Sequence, residues 1–436
     1  MRSVIFFDER KVLNNSMKNS MKNNMRRILK IRFKSVLIFV VCALISFGWN
    51  SNCDAETDTD EVVYDDGDLV EVKRKEYGLI ARDVAEVKVG SEPDFWEVYI
   101  RHKKENKVRE VRLTKRICKR KRNYKTYIVA NNVKDFFPKT YGSILVDKKN
   151  RVLFTGITSC YYFVNHNSSK QCDKAFHREH PYLNKVVEKN VTKTWGDNNM
   201  FAYVKNNKLH ITGEIISYLT GKDECYQCDT VQTFFEGQGN NIKQVICGEN
   251  YVTGCNIFVL MKDGSVWGIG RNNRKLISPS EQKKYSEFVK IIDSGVKQIA
   301  ASTDNVAIVK EDNSLWVWGR IFKSKKKIYS ATPQKVANNV EEVALSEVRQ
   351  GESWPLCSIL AFLKENHKAY GIGYNQGYAF TERYKKGWHS KPVLLMKNVK
   401  HVYVTYGSTL MLNQKNELYW SGEQGWYSGY YWIREK

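Results

Sequence analysis

Asp263-Gly264-Ser265-Val266-Trp267-Gly268-Ile269-Gly270 is the stretch from which the rest of the chain can be read. Six positions before its closing Gly270 stands Gly264, a residue that accepts positive φ, while the apolar Val266 and Leu260 stand four and ten positions before it. This is the layout of a hairpin: the turn needs a left-handed residue, and the alternation of a strand places one apolar position of each arm on the interior side. The same layout ends at Gly156, Gly213, Gly270, Gly319, Gly373 and Gly422, at spacings of 57, 57, 49, 54 and 49 residues. Its turn positions are Asn150, Asn207, Gly264, Asn313, His367 and Asn416, all but His367 being Asn or Gly.

Upstream of each hairpin a further strand opens on a turn residue followed by Val or Ile: Asn132-Val133, Asn190-Val191, Asn241-Ile242, Gly295-Val296, Asn339-Val340 and Asn398-Val399. A seventh, weaker unit opens at Asp83-Val84 with Val87 and continues through Asn106 and Val108, with Arg112 where the closing glycine is expected. A period near fifty residues built from strands is that of a propeller blade. The expectation is an all-β, seven-bladed β-propeller over residues 83–436, closed into a ring that leaves no long free sheet edge.

The segments Leu360-Ala361-Phe362 before Tyr370-Gly371-Ile372-Gly373, Leu315-Trp316-Val317-Trp318-Gly319 and the opening octapeptide resemble the repeat of the RCC1-like β-propellers (regulator of chromosome condensation repeats). The resemblance covers roughly residues 83 to 425. The family's Asn-x-x-Gly-Gln-Leu-Gly extension survives as fragments, Gly270-Arg271-Asn272 and Gly373-Tyr374-Asn375-Gln376-Gly377. The resemblance, with the N-terminal segment below, implies a setting similar to secreted bacterial RCC1-like members, some of which inhibit β-lactamases. The founder's nucleotide exchange and chromatin binding imply nuclear placement, which that segment contradicts.

Residues 1–55 read as a targeting segment. Arg26, Arg27, Lys30, Arg32 and Lys34 precede an apolar run over residues 36–49, and Cys53-Asp54-Ala55 suits cleavage before Glu56. That is the order of parts in a secretory signal. The run is shorter than the roughly 20 residues of a membrane span; an uncleaved N-terminal anchor is the alternative, and the one expected membrane contact. Residues 56–82 read as an acidic lead-in, with Glu56, Asp58, Asp60, Glu61, Asp65, Asp66 and Asp68. Without residues 1–55 the net charge falls from +23 to +16, because that segment holds ten Lys or Arg against three Asp or Glu. A basic surface favours anionic partners, and an anionic surface polymer is a candidate, whereas nucleic acid is not expected. Eight cysteines also remain: Cys118, Cys160, Cys172, Cys225, Cys228, Cys247, Cys255 and Cys357. Outside the cell they are candidates for disulfides, with Cys160–Cys172, Cys247–Cys255 and Cys225–Cys228 as local pairs and buried thiols as the alternative.

No catalytic constellation stands out. Cys225-Tyr226-Gln227-Cys228 has redox spacing, but Asp223, Glu224 and Asp229 oppose a thiolate. Cys172, His177 and His180 would be further zinc ligands only if the fold brought them beside that pair. Trp267, Trp316 and Trp318 occupy repeat positions and read as packing residues, and Glu341-Glu342, adjacent on a strand, face opposite ways. No catalytic residue, metal or cofactor is expected.

The informative departures are lengths. From the opening residue to the closing position most units span 22 or 23 residues, but Val84 to Arg112 and Ile242 to Gly270 take 28, and Val340 to Gly373 takes 33. Inserted loops at equivalent positions of a propeller converge on one face. Arg349 and Trp354 in the longest, and Tyr251 and Asn256 in another, are the candidate protein-binding residues, Trp and Arg being the types that dominate interfaces. The expected function is that of an exported, non-enzymatic, monomeric propeller that binds a protein through these loops. The alternative is an enzyme or ligand binder using the central channel.

Overall fold

The computed structural model describes residues 78–90, 98–104, 107–113, 124–139, 142–156, 185–196, 200–213, 231–248, 256–320, 329–348, 357–375, 379–380, 387–405 and 408–422. These form 28 strands in seven antiparallel four-stranded sheets, with one 3-10 turn at Gly239–Asn241 and no α-helix among the described residues. After β1 (Gly78–Ala81), blade 1 comprises β2 (Val84–Val89), β3 (Val98–His102), β4 (Lys107–Leu113) and β5 (Tyr124–Asn131). Blade 2 is β6 (Val133–Lys139), β7 (Gly142–Asp147), β8 (Val152–Gly156) and β9 (Lys185–Glu188). Blade 3 is β10 (Lys193–Gly196), β11 (Phe201–Lys205), β12 (Lys208–Thr212) and β13 (Gln232–Phe234). Blade 4 is β14 (Ile242–Gly248), β15 (Asn256–Met261), β16 (Val266–Arg271) and β17 (Lys284–Ile292). Blade 5 is β18 (Val296–Ala301), β19 (Asn305–Lys310), β20 (Leu315–Arg320) and β21 (Tyr329–Ala337). Blade 6 is β22 (Val340–Val348), β23 (Cys357–Lys364), β24 (Ala369–Asn375) and β25 (Gly387–Met396). Blade 7 takes β26 (Val399–Thr405), β27 (Ser408–Asn413) and β28 (Leu418–Gly422), and its fourth, outer strand is β1.

Strand β1, Gly78–Ala81, lies inside the segment read as an acidic lead-in and is the outer strand of blade 7. Four residues without a turn signal in front of them leave no mark in the sequence, yet they pair with β28 as Gly78↔Trp420 and Ala81↔Leu418. The targeting segment 1–55 lies outside the described residues, as do the carboxylates at 56–68 and Asn106.

The hairpin turns explain the spacing seen in the sequence. In blade 4 the Met261 amide donates to the Ser265 carbonyl at 2.9 Å, enclosing a three-residue loop whose last member, Gly264, has φ of 80°. The same construction recurs with Asn150, Asn313, His367 and Asn416, all at φ between 57° and 61°. His367 thus adopts the left-handed conformation despite its larger side chain. Blade 3 is one residue shorter: Asn206 and Asn207 both have positive φ, which two-residue hairpins of this handedness require.

These turns also join the blades. A left-handed residue turns its carbonyl toward the next blade, where the first residue of the inner strand donates to it: Val191 to Asn150, Val296 to Gly264, Val340 to Asn313 and Val399 to His367, at 2.8 to 3.1 Å. Val84 donates to Asn416 at 2.9 Å, so the last blade holds the first in the same way. In blade 3 Asn207 receives Gly239 instead, through the extra 3-10 turn. Contacts between neighbouring inner strands run around the whole circle, including β26 with β2. Apolar side chains fill the spaces between blades: Leu260, Val266 and Phe258 of blade 4 pack with Val296, Ile299, Ile308 and Trp318 of blade 5.

Closure rests on a polar knot as well. Arg82, just after β1, pairs with Glu417 at 2.6 Å, and Glu417 also accepts from Asn413 and Tyr419. The Asn413 amide, followed by Tyr419 and the Arg82 charge, lowers the Glu417 pKa. A lowered carboxylate pKa contributes stability above the unfolded value, near 4.3, that is lost as pH falls through the folded value. Glu417→Gln is expected to lower the melting temperature at pH 7 and to flatten its decline below about pH 4.5, measured by thermal melts across pH. Gly319, at φ of 93°, has no room for a side chain: a Cβ would meet the Asp304 carbonyl oxygen and stand 2.5 Å from Leu276 Cδ2. Gly319→Ala is expected to cost about 2–4 kcal/mol in chemical denaturation.

Candidate interaction face

The inner strands start at the same end of the disc, where those of blades 1, 3, 5, 6 and 7 are held by the preceding blade's hairpin. At that end lie the tight turns between second and third strands; at the other lie the connections from first to second strand and from third to fourth. The long insertions at 90–97, 249–255 and 349–356 are all of the first-to-second kind, so their roots share the loop end. Arg349, Trp354 and Tyr251 lie outside the described residues. Asn256 opens β15 opposite Gly248 and Gly270 and is 6% exposed, so it sits inside the blade and offers no exposed contact. Cys247 is buried in β14; Cys160, Cys172, Cys225, Cys228 and Cys255 lie outside the described residues, as do His177 and His180. Among the repeat-closing glycines, Gly213, Gly270, Gly319 and Gly373 have φ between 93° and 120°, while Gly156 and Gly422 end β8 and β28.

The base of the loop end is organised by side chains the sequence reading did not single out. Asp304, in the short turn between β18 and β19, is 2% exposed and pairs with Arg274 of the preceding blade's loop at 2.5 Å. Arg320 stands 3.9 Å from its other oxygen, and the Arg320 guanidinium lies 4.9 Å from the Trp388 ring of blade 6. Tyr329 donates to Asp304 at 3.4 Å; burial and the Asp304 charge raise its pKa. Three consecutive blades are thus tied through one buried carboxylate. The loop that delivers Arg274 is shaped by Asn272, 2% exposed, whose amide group donates to the Ser278, Ser280 and Gln282 carbonyls and accepts from the Ile277 and Ser278 amides. Asn375 accepts from Phe380 in the same way. These two asparagines are the ones left in the extension fragments, and their spacing after Gly270 and Gly373 was the signal.

The channel side has its own repeated position. Two residues after each opening Val or Ile, beyond a β-bulge in most blades, stand Glu86, Asp135, Lys193, Gln244, Gln298, Glu342 and His401. Gln244 exchanges two hydrogen bonds with the Ile299 backbone and Gln298 with Val343, each in the next blade. Glu342 accepts from the Val402 amide at 3.1 Å and lies 2.8 Å from His401 Nδ1. Glu86 pairs with Arg101 at 3.2 Å, and its burial raises its pKa against the pull of Lys88 and Arg101. The close His401–Glu342 pair is therefore engaged in joining blades 6 and 7. Glu341, at the bulge, is exposed, whereas Glu342 is half-buried. The tryptophans pack: Trp318 is buried with its indole donating to the Leu276 carbonyl, while Trp267 and Trp316 donate to Ser265 and Ser314 of their own turns. No group of three His, Cys, Asp or Glu is placed to hold a metal among the described residues.

No family profile matches this chain, and no curated protein matches it. Its fold is similar to that of Prp20p from Saccharomyces cerevisiae, the yeast RCC1, at a TM-score of 0.52 and 14% identity, covering 78% of this chain and 82% of that one. Human WBSCR16 is similar at a TM-score of 0.51 and 15% identity, over 69% of this chain and 79% of the other. At these identities the likeness is one of fold.

Removing the carboxylate from the three-blade knot takes a buried anion from between the half-buried Arg274 and the buried Arg320 guanidinium groups. Asp304→Ala is expected to cost about 3–5 kcal/mol, read by chemical denaturation, the magnitude typical of breaking a buried pair on one side.

Proposed function

We propose that this chain is an exported, non-enzymatic recognition propeller that holds a protein partner against the loop end of its disc. The observation that carries the reading is the shared root of the three insertions between first and second strands, at 90–97, 249–255 and 349–356, on a base stiffened by the Asp304 knot. Rigid scaffold with variable loops is the arrangement on which binding residues are most often displayed. The fold supports it by analogy: Prp20p, with the same fold, is described as binding Gsp1p and histones. Trp354 and Arg349 supply the side-chain types that anchor interfaces, and export rests on the basic and apolar order of residues 26–49.

Capture experiments with the secreted protein, run in parallel with Trp354→Ala and Arg349→Ala, test the reading. The expectation is a partner lost on the Trp354→Ala variant, with affinity reduced by about thirtyfold or more, as for an interface hot spot. Equal capture by both variants and the parent counts against the loop end. Substitution is preferable to excision of the loop from 346, since Ser346 and Val348 belong to β22 and pair with Ile359 and Cys357. A mass increase of the mature protein on reduction is the expected sign of disulfides formed during export; an unchanged mass and an N-terminus at residue 1 would reject it.

A further inference from the structure

The opposite end of the disc, where the tight turns lie, carries its positive charge unevenly. A cavity of about 290 Å³ opens there, its lining drawn from blades 2, 3 and 4. It is lined by Lys134, Lys193 and Lys243, with Asp135, Thr192 and Thr194 between them. Asp135, the one carboxylate in the lining, is already engaged by the Lys88 ammonium and by the Thr194 hydroxyl at 2.8 Å. The three lining ammonium groups have neutral partners at most. Lys134 donates to the Asn150 side-chain oxygen at 2.9 Å, and Lys193 to the Asn240 and Ile242 carbonyls at 2.8 and 2.5 Å. Lys243 is exposed and forms no ion pair or hydrogen bond among the described residues. Each ammonium has three donors, so unsatisfied N–H groups remain on all three. Burial and then the Lys262 charge hold the Lys193 pKa below its ordinary value. Outside the cavity Lys148, Lys149 and Lys189 extend the same sign over the ends of blades 2 and 3.

We propose that this cavity is a binding site for a phosphate monoester group. Three cations around one space, with their only carboxylate neutralised by a fourth, call for more than one negative charge. A phosphate monoester brings a charge of about −1.5 to −2 at pH 7 and three acceptor oxygens, where a carboxylate brings one charge. Lysines act as point charges toward phosphate and place no demand on planar geometry. The volume is several times the roughly 30 Å³ share of a water molecule, enough for the phosphate and the first atoms of what it esterifies. The site does not depend on the loop-end reading, because it lies at the other end of the disc.

Calorimetric titration of the full chain with phenyl phosphate and with inorganic phosphate, against acetate at matched ionic strength, is the test. Phosphates are expected to bind and acetate not. Lys243→Gln, which removes no contact of the fold, is expected to weaken phosphate about tenfold, as for one charge-assisted hydrogen bond. The Lys148→Gln/Lys149→Gln pair, outside the cavity, is expected to change it less than about twofold, an exposed-charge effect. Equal binding of acetate, or equal losses in the two variants, would reduce the cavity to diffuse surface charge and overturn the proposal. Co-sedimentation with phosphatidylcholine vesicles containing phosphatidic acid, compared with phosphatidylserine, separates the sources. Selective retention on phosphatidic acid, lost in Lys243→Gln, assigns a lipid headgroup; binding of phenyl phosphate without retention assigns a soluble ligand; neither result overturns the site.

Discussion

One kind of backbone hydrogen bond, repeated at five of the seven junctions, sets the relation of a blade to the next. The left-handed turn residue offers a carbonyl sideways, and the first amide of the neighbouring inner strand takes it. Such a bond contributes on the order of 1 kcal/mol each, which is small, but its geometry is what matters. It fixes where those inner strands begin, and therefore which inter-strand connections leave from which end. Where the bond is made by Gly239 in place of the opening residue, the chain needs a 3-10 turn to restore the register. The apolar packing between blades then supplies most of the free energy, since each sheet buries its faces against two neighbours.

This explains why the architecture could be read from the chain and the interaction surfaces only in part. Asn150, Asn313 and Asn416 are written into the sequence because few residue types tolerate their conformation, and Leu260 and Val266 because a buried strand position must be apolar. Asp304 and Arg274 carry no such signature: they occur once, in turns whose residues are not repeated, and meet only after folding. The ring of Glu86, Asp135, Lys193, Gln244, Gln298, Glu342 and His401 lies between these cases. It falls at one repeat position, but because its chemistry varies from blade to blade, a search for repeated residue types passes over it. Asn256 shows the converse, since closeness to an insertion in sequence does not put a side chain outside the sheet.

The two ends of the disc are built differently. At one end short turns expose lysines beside the bulged starts of inner strands, and nothing protrudes from the described residues there. At the other, Asn272 and Asp304 organise the bases of longer connections into a network spanning blades 4 to 6. Members of the inner polar ring, Gln244, Gln298 and Glu342, hold neighbouring blades together, while Asp135 and Lys193 also line the cavity at the tight-turn end.

Strand β1 completes blade 7 against β28, so partners in that sheet stand some 340 residues apart in the chain, as in Gly78 and Trp420. During synthesis, the edge of the first-made strand has nothing to pair with until almost the last residue has been added. Long-range pairing of this kind slows folding and leaves an open strand exposed to other chains. The final clasp of β1 on β28 becomes the step at which an open arc of blades turns into a sealed ring.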